Sequence, residues 1–175
     1  MSRPSGRLGR TLVTALLAVA AAAPAAVAEG TEAVVPNARL RQPRDRALLA
    51  EAIRGAARRL ADPRCQELLG ELQDRRRQPL RAVLEAQGMS APEYLGRLFF
   101  FDGTESGCKG RRLAYTEAGS HVVFVCGKEF RDMYLQNASR AEVAVVHEAL
   151  HCLGLGENPP TWQEINDRVE AACRK

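Results

Sequence analysis

The sequence predicts an α+β fold: a helix-rich single domain with a small sheet or hairpin placed before its last helices. Three observations carry this expectation. Apolar residues recur at helical spacing from residue 45 to residue 98. Between Phe99 and Cys126 the pattern switches to short β-branched and aromatic runs separated by Gly, Ser and Asp. Helical spacing then returns from Ser139. At 175 residues, 46% hydrophobic and 26% charged, the chain suits one core and lacks the bias of a disordered, collagen-like or coiled-coil protein.

Residues 1–28 read as an address and not as part of the fold. Arg3, Arg7 and Arg10 precede an uncharged stretch, TLVTALLAVAAAAPAAVA, that ends in Ala26-Val27-Ala28. Its apolar centre, Leu12–Ala23, is too short for the roughly 20 residues of a membrane span. A basic start, a short apolar centre and small residues at the end are the parts of a signal peptide, cut after Ala28. The mature chain is therefore expected to be secreted or periplasmic, without a stable membrane anchor. Without this segment the net charge of +4 falls to near zero, 22 basic against 21 acidic residues. That balance gives no reason to expect nucleic acid as a partner.

Residues 29–43 carry two prolines and little periodicity, so they form an extended lead-in to a single domain over 44–175. The first helix starts near Asp45, with Leu48, Leu49, Ala52, Ile53, Ala56, Ala57 and Leu60 inward and arginines opposite. Asp62 caps the second and Pro63 occupies its first turn, with Cys65, Leu68, Leu69 and Leu72 continuing the apolar stripe. Arg75-Arg76-Arg77 reads as a solvated helix end. After Pro79 a short third helix turns Leu80, Val83 and Leu84 inward. Ser90 and Glu93 have capping-box spacing and open a fourth helix through Leu98. The runs 99–101, 111–117 and 121–126 are strand candidates, and HVVFVC (His121–Cys126) carries the strongest signal. Ala118-Gly119-Ser120 suits a hairpin link between the last two runs.

An oxidising compartment favours disulfides, and all five cysteines follow residue 28. Cys108 with Cys126, flanking the hairpin, is the first expected pair; Cys65 with Cys173 is the second. Cys152 is then a buried free thiol.

The chemistry lies on the helix that Ser139 and Glu142 open as a second capping-box pattern. It carries Val143, Val146, Leu150 and Leu153 on one face, and Gly154 is placed to end it in a left-handed conformation. It also carries His147-Glu148-Ala149-Leu150-His151, an HExxH. Histidines four apart project from one side of a helix, so their imidazoles can share one ion, and zinc accepts neutral imidazole. Glu148 stands where its carboxylate can reach a water at that ion without itself binding it. A third protein ligand is then required.

HEALHCLGLGE (His147–Glu157) resembles the zincin metallopeptidases and, within them, the metzincin pattern HExxHxxGxxH, with Glu157 where the third histidine would stand. The resemblance covers residues 139–157. It implies a minimal zincin-like domain that uses Zn2+, bound by His147, His151 and Glu157, with Glu148 as general base in peptide-bond hydrolysis. The related gluzincin pattern offers Glu164 as the competing third ligand, and Glu170 more loosely. Glu164 also has a structural role open to it, because Thr161 to Glu164 is capping-box spacing. His121, the remaining histidine, is expected to be exposed.

The departures are plain. The methionines are Met1, Met89 and Met133, so no Met-turn follows the motif, and only 24 residues follow His151. In the zincins a strand beside the motif helix pairs with extended substrate, and 121–126 is the candidate here. Tyr115 and Tyr134 are possible oxyanion donors, with packing the better account of both. The leading expectation is an exported zinc metallopeptidase acting on peptide or protein. The alternative is an exported, non-catalytic binding protein with a structural or vestigial zinc.

Overall fold

A computed structural model describes residues 37–174. The expected signal peptide (1–28) and most of the lead-in lie outside the described residues. The fold is α+β, with seven helices and one four-stranded sheet among those residues.

In chain order the elements are β1 (Ala38–Arg39), α1 (Pro43–Leu60), α2 (Pro63–Glu71), α3 (Leu80–Ala86), α4 (Ala91–Arg97), β2 (Phe99–Asp102), β3 (Ala114–Tyr115), β4 (Val122–Val125), α5 (Gly127–Gln136), α6 (Ala138–Cys152) and α7 (Trp162–Ala172). The sheet order is β1-β2-β4-β3, with β1, β2 and β4 parallel and β3 antiparallel at one edge. The end of the lead-in is therefore extended, as expected, and is also the outer strand beside β2. The link between β3 and β4 is the expected hairpin. One expectation is corrected: the run 121–126 does not offer a free strand edge. β4 has β2 on one side and β3 on the other, which leaves β3 as the exposed edge next to β4.

The helices form where local chemistry asks for them. Pro43 occupies the first turn of α1, two residues ahead of the Asp45 start. Asp62 accepts from the Arg64 N–H, and Pro63 opens α2. Ser90 and Glu93 close a complete capping box on α4. Leu49, Ala52, Ile53, Ala56 and Leu60 of α1 join Cys65, Leu68, Leu69 and Leu72, then Leu80, Leu84, Leu95 and the apolar face of α6, in one buried core. α5 is unanticipated, although Phe130, Met133 and Tyr134 have helical spacing and Phe130 is buried.

Not all arginines of α1 lie opposite the core. Arg59 is 5% exposed. Its Nε donates to Glu142 at 2.8 Å, Nη1 to the Cys173 carbonyl at 2.7 Å and Nη2 to Ser139 Oγ at 2.6 Å. All three forks of the guanidinium are met, which is what lets a charge this buried persist. Gly55 makes room for the pair: a Cβ there would fall 2.2 Å from Glu142 Oε1.

Residues 75–77 are also corrected, from a solvated helix end to a tight turn. Asp74 Oδ1 accepts the N–H groups of Arg76 and Gln78, both at 2.8 Å, and the Leu80 N–H closes on the Leu72 carbonyl. The turn docks on the chain after α6, where Asp74 pairs with Leu155 and the Arg75 N–H donates to the Gly154 carbonyl.

Cys65–Cys173 and Cys108–Cys126 are bonded, and Cys152 is a buried free thiol, as the sequence suggested. Two disulfides mark an oxidising compartment. No helix among the described residues is long and apolar enough to cross a membrane.

Candidate metal centre

α6 begins two residues earlier than its capping pattern suggests. Asn137 is the cap and accepts from the Arg140 N–H, while Ser139 and Glu142 are spent on Arg59. Glu142 therefore faces α1 and not its own helix end. The helix is buried from Ala141 to Cys152 apart from Ala144, so its motif side chains are held on all sides by packing.

His147 and His151, one turn apart, bring their Nε2 atoms to 2.9 Å of each other. Their Nδ1 atoms are each occupied: His147 Nδ1 meets Asn166 Oδ1 at 2.9 Å, and His151 Nδ1 meets the Leu155 carbonyl at 2.8 Å. A carbonyl oxygen only accepts, so His151 Nδ1 carries a proton, and in the neutral ring, the form that binds metal, Nε2 presents a lone pair. With Asn166 Oδ1 as acceptor, His147 takes the same tautomer. Burial, reinforced by His151 and opposed by the Asn166 bond, pulls His147 down to about 4, so near neutrality its ring carries no charge. Two lone pairs facing each other repel, and a cation between them converts that repulsion into two bonds. Metal–nitrogen bonds of about 2.0–2.1 Å at a tetrahedral angle separate such nitrogens by about 3.3 Å, a few tenths from what is seen.

The end of α6 delivers the third group. Gly154 has φ +105°, its N–H bonds the His151 carbonyl and the Leu155 N–H bonds the Leu150 carbonyl, a Schellman closure. This turn aims the Leu155 carbonyl at His151 and sends the chain back so that Glu157 approaches the histidines. One carboxylate oxygen of Glu157 and one nitrogen of each imidazole lie within 4.8 Å of one another. His147, His151 and Glu157 can thus hold one metal ion, with the two rings buried and the carboxylate exposed.

Glu148 lies beside this cluster, 8% exposed, and its Oε2 has no hydrogen-bond partner among the described residues. Burial first and the Glu157 carboxylate second push it up to about 8, against the pull of the Arg112 guanidinium. An orphaned, buried acid next to two lone pairs and a second carboxylate is a donor set that fits a divalent cation and a proton acceptor.

The competing candidates fall elsewhere. Glu164 closes the capping box of α7, its Oε2 taking the Thr161 N–H at 2.7 Å and Oγ1 at 2.9 Å, and these bonds lower its pKa. Glu170 lines a different cleft with Arg59 and Arg174. His121 is exposed beside Tyr94, as expected. Tyr115 stacks on Phe124 and bonds Ser106, and Tyr134 packs against the core, so both serve packing. Burial raises the Cys152 thiol to about 12, which leaves it inert. Two residues of the site carry no sequence signal. Asn166, on α7, reaches His147 only through tertiary packing, and Arg112, just before β3, acts on Glu148 through its charge.

Comparison with known proteins adds nothing to this geometry, for no family model, no curated protein and no solved structure matches the chain.

Proposed function

We propose that the chain is an exported zinc-dependent peptidase, with His147, His151 and Glu157 as ligands and Glu148 as the general base. The observation that supports it most is the orphaned Glu148 Oε2 beside a convergent His/His/Glu set. A purely structural zinc has no use for a buried, unpartnered carboxylate beside it. Two imidazoles and a carboxylate leave a fourth position free, and zinc bound there would supply Lewis acidity towards a carbonyl and a water.

The chain's own residues do the rest. Asn166 and the Leu155 carbonyl hold the two rings in the tautomer that presents Nε2. Glu148 Oε2 accepts a proton from the attacking water and returns it to the departing amine nitrogen. Its raised affinity for a proton suits that exchange near neutrality. The β3 edge, which packs on α6, is the place where an extended peptide can add as a strand. Two disulfides agree with work in an oxidising space.

The experiment is metal analysis paired with turnover. Purified chain should hold about one zinc, lose it on His147→Ala or His151→Ala, and hold it more weakly on Glu157→Ala. Glu148→Gln should keep the zinc and lose hydrolysis of peptide substrates by at least about a hundredfold. Zinc held tightly by a wild-type chain that cleaves no peptide would assign the site to a binding protein instead.

A further inference from the structure

Arg75 and Arg112 have no carboxylate within ion-pair distance among the described residues. Each stands on a segment that leads to or docks on α6 and the loop that follows it. Arg112 leads into the edge strand β3, where its guanidinium lies 5.5 Å from the centroid of the Tyr115 ring and Nη1 donates to the Gly107 carbonyl at 3.3 Å. Arg75 belongs to the turn docked on the loop after α6, and its side chain runs along Gly156, the residue before Glu157. A Cβ on Gly156 would stand 3.6 Å from Arg75 Cγ and 3.8 Å from its Nε. Both side chains are exposed, and both backbones are tied down.

Arg75 and Arg112 bring two positive charges that no carboxylate of the described residues pairs. An anionic ligand answers them. The planar fork of a guanidinium matches a carboxylate in particular, and stacking on a ring, as Arg112 does on Tyr115, pre-orients the fork. We propose that the cleft takes peptides bearing carboxylates beside the bond presented to the metal, with Arg112 and Arg75 as the receptors. This inference rests on the peptidase reading for the nature of the ligand, and it names the substrate class of that same site. The carboxylate can be an acidic side chain or a free chain end.

Binding without turnover tests it. The zinc-loaded Glu148→Gln chain is titrated with three acetylated hexapeptides: one with central Glu residues and an amidated end, its Gln counterpart, and the Gln peptide with a free carboxylate end. The sole tryptophan, Trp162, is 60% exposed and one helical turn before Asn166, so its fluorescence reports on the cleft, with calorimetry as the second readout. At about 0.05 M salt one or both carboxylate peptides should bind about tenfold more tightly than the neutral one, and which of them does so names the source. The advantage should shrink at about 0.5 M salt. Arg112→Met and Arg75→Met should each cut it about threefold, and the double variant should abolish it, with the neutral peptide unaffected. Equal affinity for acidic and neutral peptides, survival of the preference in the double variant, or failure of zinc-replete protein to bind any of the three would overturn the proposal. A preserved preference in a chain that hydrolyses nothing supports this inference while ending the peptidase reading.

Discussion

Replacing Glu142 by alanine tests how the motif helix is held. Arg59 and Glu142 are both almost wholly out of water, at 5% and 4% side-chain exposure. In Glu142→Ala the Arg59 guanidinium keeps the Cys173 carbonyl and Ser139 Oγ, two neutral acceptors, and loses the one carboxylate paired with it among the described residues. A buried cation stripped of its partner costs about 3–5 kcal/mol. Set against a total stability of about 5–15 kcal/mol, that is about a fifth or more of what holds a domain of this size. At roughly 3 °C per kcal/mol, thermal unfolding followed by circular dichroism should shift down by about 9–15 °C. Gly55→Ala should approach the same loss with no change of charge, since its Cβ would displace the carboxylate. Arg59→Met combined with Glu142→Leu should recover most of it, because no lone charge then remains. A loss below about 1 kcal/mol in Glu142→Ala would place the pair among exposed ion pairs and refute the argument.

Three further outcomes follow from the site. In metal-free protein the folded Glu148 carboxyl ionises near 8 against an ordinary 4.5, so between those values the folded state holds the proton and the unfolded state has released it. Stability therefore falls as pH rises through that window, and Glu148→Gln escapes the fall; denaturant titrations should show its advantage growing from near zero at pH 4 to at most about 5 kcal/mol at pH 9. An advantage that does not vary with pH would be the contrary result. Asn166→Ala should weaken metal binding by about 10–100-fold in competition with a chromogenic chelator, by freeing the His147 ring, and a change under threefold would deny Asn166 that role. Gly154→Ala puts a Cβ at φ +105° and 3.1 Å from Asp74 Cβ, so calorimetry should show a loss of about 1–2 kcal/mol or more together with weaker metal retention.

Local signals were legible where a residue type has one purpose. Asp62-Pro63, the two S/T-x-x-E caps and Gly154 could be read directly because each answers a need of the adjacent backbone. The His147/His151 pair and Glu157 were legible for a similar reason: helical pitch fixes the first two, and the Gly154 turn returns the third. Ser139 and Glu142 misled, since their spacing is that of a cap while a buried arginine 80 residues away claims both. The strand at 121–126 was legible as a strand, but not its place between β2 and β4, because sheet order depends on pairings between distant segments. Asn166 and Arg112 were illegible on the same ground. α5 escapes a reading of the sequence although its apolar spacing is there, masked by five charged or amide side chains in ten residues.

α6 is anchored at one end and chemically equipped at the other. Ser139 and Glu142 stand about 8–18 Å along the axis from His147 and His151 at 1.5 Å per residue. Sequence change in the first turn is thus paid in folding, whereas change in the last turn is felt by the ligands and acid while the scaffold persists. A deep mutational scan along this helix should accordingly resolve into two zones, one read by abundance and the other by metal content alone, with the border near Val145.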